Sequence, residues 1–196
     1  MKRAILITLI LVILAGVPVF ARSTYYFTGD QVFSIRAGVN FPGFFGFYFK
    51  PERNTTDTHL KMGGYASIAY QGYVSETLAL GGELSYAFNY SKSDMLLTTV
   101  PMTVKLTWVP IQTGKFDVAM SLNLGGAFIR YNEGRFFSPF VSLSLCPSFF
   151  ISENWGIGVE GQLMLTTEFY TEKSGKKDAS AFAGLVPLTL VLSYRH

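Results

Sequence analysis

Six ionisable residues fall on the small-polar phase of an alternating pattern: Arg36, Glu83, Lys105, Asp117, Glu160 and Arg195. Isolated charges in a confined interior are costly unless paired, so two kinds of chemistry are open to this set. The charges can form a salt-bridge network that plugs an interior, with Glu83 and Glu160 paired to Arg36 and Lys105. Alternatively they can line a selective polar path or gate. Nucleophilic catalysis has no such support. His59 lies in a connection and His196 ends the chain, which leaves a histidine-based triad without a base. Cys146 is the single cysteine. It cannot form an intramolecular disulfide, and with no histidine cluster beside it the sequence has no metal-ligand spacing. The residues imply no catalytic group, no metal and no cofactor.

A second cluster is aromatic. Phe44, Phe45, Phe47, Tyr48 and Phe49 sit beside a polar stretch, Lys50 to His59. Such a cluster can be a contact site for a ligand, a partner or lipid headgroups. It can equally be a continuation of the preceding strand that joins an aromatic belt. The sequence leaves both readings open.

The elements that position these residues are strands. From Gln31 onward, apolar and small-polar residues alternate one by one, as in Met62, Gly64, Ala66, Ile68 and Tyr70 against Lys61, Gly63, Tyr65, Ser67 and Gln71. Period-two alternation sends side chains to opposite faces of a sheet. Eight segments are expected: Gln31–Phe41, Leu60–Val74, Leu78–Tyr90, Met95–Trp108, Phe116–Tyr131, Phe136–Ile151, Trp155–Tyr170 and a last one through Val186–Tyr194. A long loop is expected from Pro42 to His59, a turn from Val109 to Lys115 and a polar loop from Thr171 to Ser180. An even set of strands can close into an up-and-down antiparallel barrel with no free edge.

Composition says what surrounds that barrel. Of the 196 residues, 49% are hydrophobic and only 15% are charged, against about 25% charged in soluble domains. The polar face is built of Gly, Ser, Ala and Thr, which suits a crowded lumen rather than a water-facing surface. Aromatics gather at the strand ends on the apolar face. Trp108, Phe116, Phe149, Trp155 and Tyr194 form one girdle, and Phe41, Phe88, Tyr90, Phe128, Phe137, Phe169 and Phe182 form the other. The expected fold is all-β: an eight-stranded antiparallel up-and-down transmembrane β-barrel. A formal charge of +3 gives no argument for nucleic acid.

Ahead of the barrel, Lys2 and Arg3 precede an apolar run from Ala4 to Val17, and Val19-Phe20-Ala21 offers small residues at the cleavage-determining positions. This pattern predicts an export signal over residues 1–21, cleaved after Ala21, and a barrel domain over residues 22–196. Within the barrel, Tyr73-Val74-Ser75-Glu76 recurs as Phe150-Ile151-Ser152-Glu153, Glu83 matches Glu160, and Val100-Pro101-Met102-Thr103-Val104 recurs as Val186-Pro187-Leu188-Thr189-Leu190. The halves read as related four-strand units.

On its strand pattern, the Val100–Trp108 strand and the C-terminal strand, the mature chain resembles the small eight-stranded outer-membrane barrels, of the OmpW, OmpX and OmpA-transmembrane-domain type. The resemblance implies a bacterial outer-membrane location, outer-membrane lipid as surroundings, a monomer, and handling by the barrel-assembly machinery through the C-terminal strand. There the last aromatic is Tyr194, followed by Arg195 and His196. The resemblance also implies a non-enzymatic role: passage of a small hydrophobic ligand through or out of a narrow lumen. The alternative is adhesion to a host surface molecule through the outer loops of a plugged barrel.

Overall fold

The computed structural model describes residues 26–48, 55, 57–131, 134–168 and 181–196. The export signal expected over residues 1–21 therefore lies outside the described residues, as do Phe49 and Phe169. Eight strands run in order: β1 (Gln31–Phe47), β2 (Gly63–Ser75), β3 (Leu78–Tyr90), β4 (Leu96–Thr113), β5 (Phe116–Tyr131), β6 (Gly134–Phe150), β7 (Trp155–Glu168) and β8 (Ala181–Arg195). Each pairs antiparallel with its sequence neighbour, and β1 pairs with β8 from Val32↔Arg195 to Phe47↔Ala181, which closes the barrel. The ring has no open edge, so the backbone of each strand finds partners on both sides.

Alternation sorts the side chains as expected. Ile35, Ile68, Leu84, Val104, Leu124, Leu143, Ile157 and Leu190 point outward and stay exposed, while Ser34, Ser67, Ser85, Thr107, Ser121, Ser142, Gln162 and Thr189 are buried inside. An exposed apolar wall around a buried polar interior is the inverse of a soluble protein. Its natural solvent is lipid.

The end at which β1 begins and β8 ends has the short connections, Glu76–Thr77 between β2 and β3 and Gly114–Lys115 between β4 and β5. Trp108, Phe116, Phe149, Trp155 and Tyr194 ring the barrel's outer surface at this end. Phe116 pairs with Phe149 and Trp155 with Tyr194, the latter rings lying 4.9 Å apart. The opposite end holds the long connections after β1 and β7. There outward rings cover outward glycines on the next strand. Phe88 lies over Gly64, Phe137 over Gly126 and Phe44 over Gly184, a cross-strand device that shields bare backbone.

β1 and β4 outrun their expected limits through bulges. β1 does not stop at Phe41 but continues to Phe47, with a register shift between Pro42 and Phe44. The extra residue inverts the phase, so Phe45 and Phe47 turn inward and Phe44 outward, matching their partners Ala183, Ala181 and Gly184. β4 likewise runs through Val109-Pro110 to Thr113, with a shift between Trp108 and Ile111. The expected seven-position turn shrinks to Gly114–Lys115, and Gly114 takes a positive φ of 57°. β2 begins at Gly63 rather than Leu60, and Leu60 instead forms a lone bridge with Ser91.

Candidate functional site in the barrel lumen

The lumen is filled in layers. At the end where β1 begins and β8 ends, Tyr26 lies ahead of β1 and tucks into the mouth. Its ring stacks on Tyr73 at 4.0 Å, its hydroxyl donates to Asp117 Oδ2 at 2.7 Å, and Phe150 meets it edge-on. Val109 and Ala79 complete this apolar lid. Above it lies a cavity of only about 50 Å³, room for a few waters at most. A polar chain runs along its wall, with Gln71 Nε2 donating to Thr107 Oγ1 at 2.7 Å and the Thr107 and Ser121 hydroxyls 2.9 Å apart.

Next comes the ionic layer. Lys105 Nζ sits 2.7 Å from Glu83 Oε2 and 3.9 Å from Glu160 Oε2. Arg36 lies 3.5 Å from Glu83 through Nη1 and 3.2 Å from Glu160 through Nε. Glu83 and Glu160 stand on β3 and β7, four strands apart around the ring. One arginine reaching both shows how narrow the lumen is. The four charges cancel, and all four side chains are at most 5% exposed. Tyr65 adds a hydroxyl donated to Glu83 Oε1 at 2.9 Å.

The structure thus brings Arg36, Glu83, Lys105 and Glu160 together and leaves the other two of the six apart. Asp117 is buried at the lid with Tyr26. Arg195 does not face the ionic layer. It lies at the rim, 3.7 Å from Asp30 and donating through Nη2 to the Glu153 carbonyl at 2.7 Å. Its phase is inward, but its position at the end of β8 puts it at the barrel's lip. Cys146 is buried inside, within 3.4 Å of the Ser148 hydroxyl.

Beyond the ionic layer the interior holds a buried Asn40–Asn89 pair, joined at 2.7 Å, beside an apolar cluster. Tyr65, Ala87, Ala127, Ile129, Phe140, Met164 and Leu185 pack into one buried cluster. Met164 and Ala127 are wholly buried, so this layer is a floor. Above it, at the mouth opposite the start of β1, opens a cavity of about 330 Å³. Phe45, Leu60, Leu97, Ile129, Phe136 and Leu185 line it, with Thr58, Thr99, Tyr131, Thr166 and Thr167 as its polar contributions. Phe44, Phe182 and Gly184 of the β1–β8 wall also border it. Of the aromatic cluster, Phe45 joins this cavity from inside. Tyr48 and Phe44 instead contact Phe182, with ring centroids 5.1 and 6.0 Å from it.

The described parts of the outer connections are held by local polar contacts. Asp57 accepts from the His59 backbone N–H at 3.1 Å and from Lys92 Nζ at 3.1 Å, and these bonds hold its carboxyl below the ordinary range. His59 belongs to this loop lattice. Among the described residues, no three His, Cys, Asp or Glu side chains gather as a metal site would require.

Solved structures share this architecture. The outer membrane protein OprG of Pseudomonas aeruginosa aligns with a TM-score of 0.52 at 8% identity, covering 87% of this chain and 97% of its own. Neisserial surface protein A aligns with a TM-score of 0.51 at 10% identity, covering 85% and 96%. The chain is a small eight-stranded outer-membrane-type β-barrel. A third barrel of this kind is Ail, the attachment invasion locus protein of Yersinia pestis, solved with the heparin analogue sucrose octasulfate. It aligns with a TM-score of 0.50 at 11% identity, covering 86% of this chain and 99% of its own. A protein-family model matches residues 17–194, and the chain belongs to that family. No curated protein matches the sequence. At these identities the likeness concerns the barrel.

Sequence reasoning missed two parts of this outer-membrane barrel. The Tyr26 lid precedes the first strand and carries no periodic signal. The apolar floor was visible only as large residues on the small-polar phase: Tyr65, Ile129, Phe140, Met164 and Leu185.

Proposed function

We propose that the protein resides in the bacterial outer membrane, binds small, uncharged, largely apolar molecules at its outer mouth and releases them sideways into the surrounding leaflet, without a chemical reaction. One observation carries this reading. The cavity of about 330 Å³ is apolar, while the lumen beneath it is shut by an apolar floor, a neutralised ionic layer and the Tyr26 lid. A cavity of this size suits a small ligand. Its border includes Phe44 and Phe182, whose side chains lie on the lipid side of the wall. This favours a lateral exit over an axial one.

The test is binding of an uncharged apolar fluorophore to the protein folded in detergent. Wild type is expected to bind saturably. Leu185→Glu is expected to weaken binding at least tenfold, because a carboxylate in this apolar cavity is unpaired. Unchanged affinity in a folded Leu185→Glu barrel would overturn the proposal. A second reading, adhesion through the outer loops, draws on Ail having been solved with a sulfated sugar. Adhesion would survive Leu185→Glu and fail on loop replacement.

A further inference from the structure

Among the described strand residues, charged side chains on the outward phase occur at only two positions, Arg130 and Arg135. These two are cross-strand partners on β5 and β6. Both are exposed, while the intervening Ile129 is buried and Phe136 lines the mouth. Like charges placed directly opposite repel, and among the described residues no carboxylate lies within ion-pair distance of either guanidinium. The other described outer-end cations differ. Lys61 is 2.5 Å from Asp94 and Lys92 is 3.1 Å from Asp57.

The setting points to what balances the pair. One step towards the barrel's waist, Phe128 and Phe137 are also partners, with rings 5.0 Å apart and exposures of 56% and 63%. Together with Val100 and Thr98 these residues line a shallow outward hollow of about 430 Å³. Its lower half is apolar and aromatic, at the depth of a membrane interface. Its upper rim holds two guanidiniums with the Thr98 side chain beside them, since Thr98 pairs with Arg130. Guanidiniums recognise phosphate through paired N–H donors. The complementary molecule has acyl chains below and phosphate above.

We infer that Arg130 and Arg135 form a binding site for the phosphorylated headgroup of an outer-leaflet glycolipid, whose acyl chains lie against Val100, Phe128 and Phe137. The site is on the barrel's lipid face and borders the mouth cavity through Ile129 and Phe136, which line both.

The test uses the protein folded in neutral detergent with three probes: diphosphorylated lipid A, its dephosphorylated form and inorganic phosphate. Diphosphorylated lipid A is expected to bind at least tenfold more tightly than the dephosphorylated form, with an affinity that falls as salt rises. R130Q/R135Q is expected to lose that preference while keeping its folded gel mobility and its unliganded stability, because the arginines repel each other in the free protein. R135Q alone should lose part of the preference, and it substitutes for the double variant if that one does not fold. A variant that retains the preference overturns the site. So does equal binding of the dephosphorylated form, or inorganic phosphate competing at the headgroup's own affinity, which would mark a small-anion site.

Discussion

Replacing Lys105 with methionine will destabilise the barrel by about 3–5 kcal/mol, the cost of leaving a buried charge without its partner. Lys105 is 1% exposed and lies between Glu83 at 2.7 Å and Glu160 at 3.9 Å. Without it, Arg36 alone faces two carboxylates, and the interior carries a net negative charge that water cannot reach. Methionine is of similar length, so packing changes little. The urea unfolding midpoint of the folded barrel in detergent reads the effect. Adding Glu83→Gln to Lys105→Met restores neutrality, since Arg36 then balances Glu160. The double variant should therefore recover most of the loss, a strong non-additivity for residues in contact. A single variant within about 1 kcal/mol of wild type, the size of an ordinary point change, would mean that the layer contributes no electrostatic closure.

The second large effect is steric. Gly81 faces the lumen between Gln71 and Lys105 on the neighbouring strands. A Cβ there would lie 2.6 Å from the Gln71 Cα and 2.8 Å from its Cγ, and closer still to the Tyr70 carbonyl oxygen. Backbone atoms cannot swing aside, so β2 and β3 must part. Gly81→Val is expected to cost about 3 kcal/mol or more, the upper range for overpacking, and to lower the yield of the folded, faster-migrating species on unheated gels. Gly72 is the control. It lies on the outward phase with nothing within 4 Å of an added Cβ, so Gly72→Val should fold as wild type does. Equal folding of both variants would contradict the close approach.

Much of this architecture can be read from the chain because a strand's side-chain period is two and a lipid-facing barrel inverts polarity at every residue. That pattern placed Arg36, Glu83, Lys105 and Glu160 inside and put Trp108, Phe116, Phe149, Trp155 and Tyr194 on the outer surface. It could not reveal bulges, because one inserted residue swaps the faces and resembles the end of a strand. For this reason Phe45 was legible as an aromatic but not as a wall of the mouth cavity, and Pro110 read as a turn rather than as part of β4. Height along the barrel was the other blind spot. Arg195 has the right phase but sits at the lip, and Asp117 has the right phase but sits at the Tyr26 lid. The lid depends on a long-range contact between a residue outside the strands and β2, β5 and β6, which no local pattern encodes.

The measurement that tests the central claim most directly is single-channel recording of the folded protein in planar bilayers. The account predicts no discrete openings, because the Tyr26 lid, the neutral ionic layer and the Met164–Phe140 floor close the axis in series. Stable, repeated openings in wild type would contradict it. They would make the ionic layer a path, and their sensitivity to Lys105 substitution would locate it.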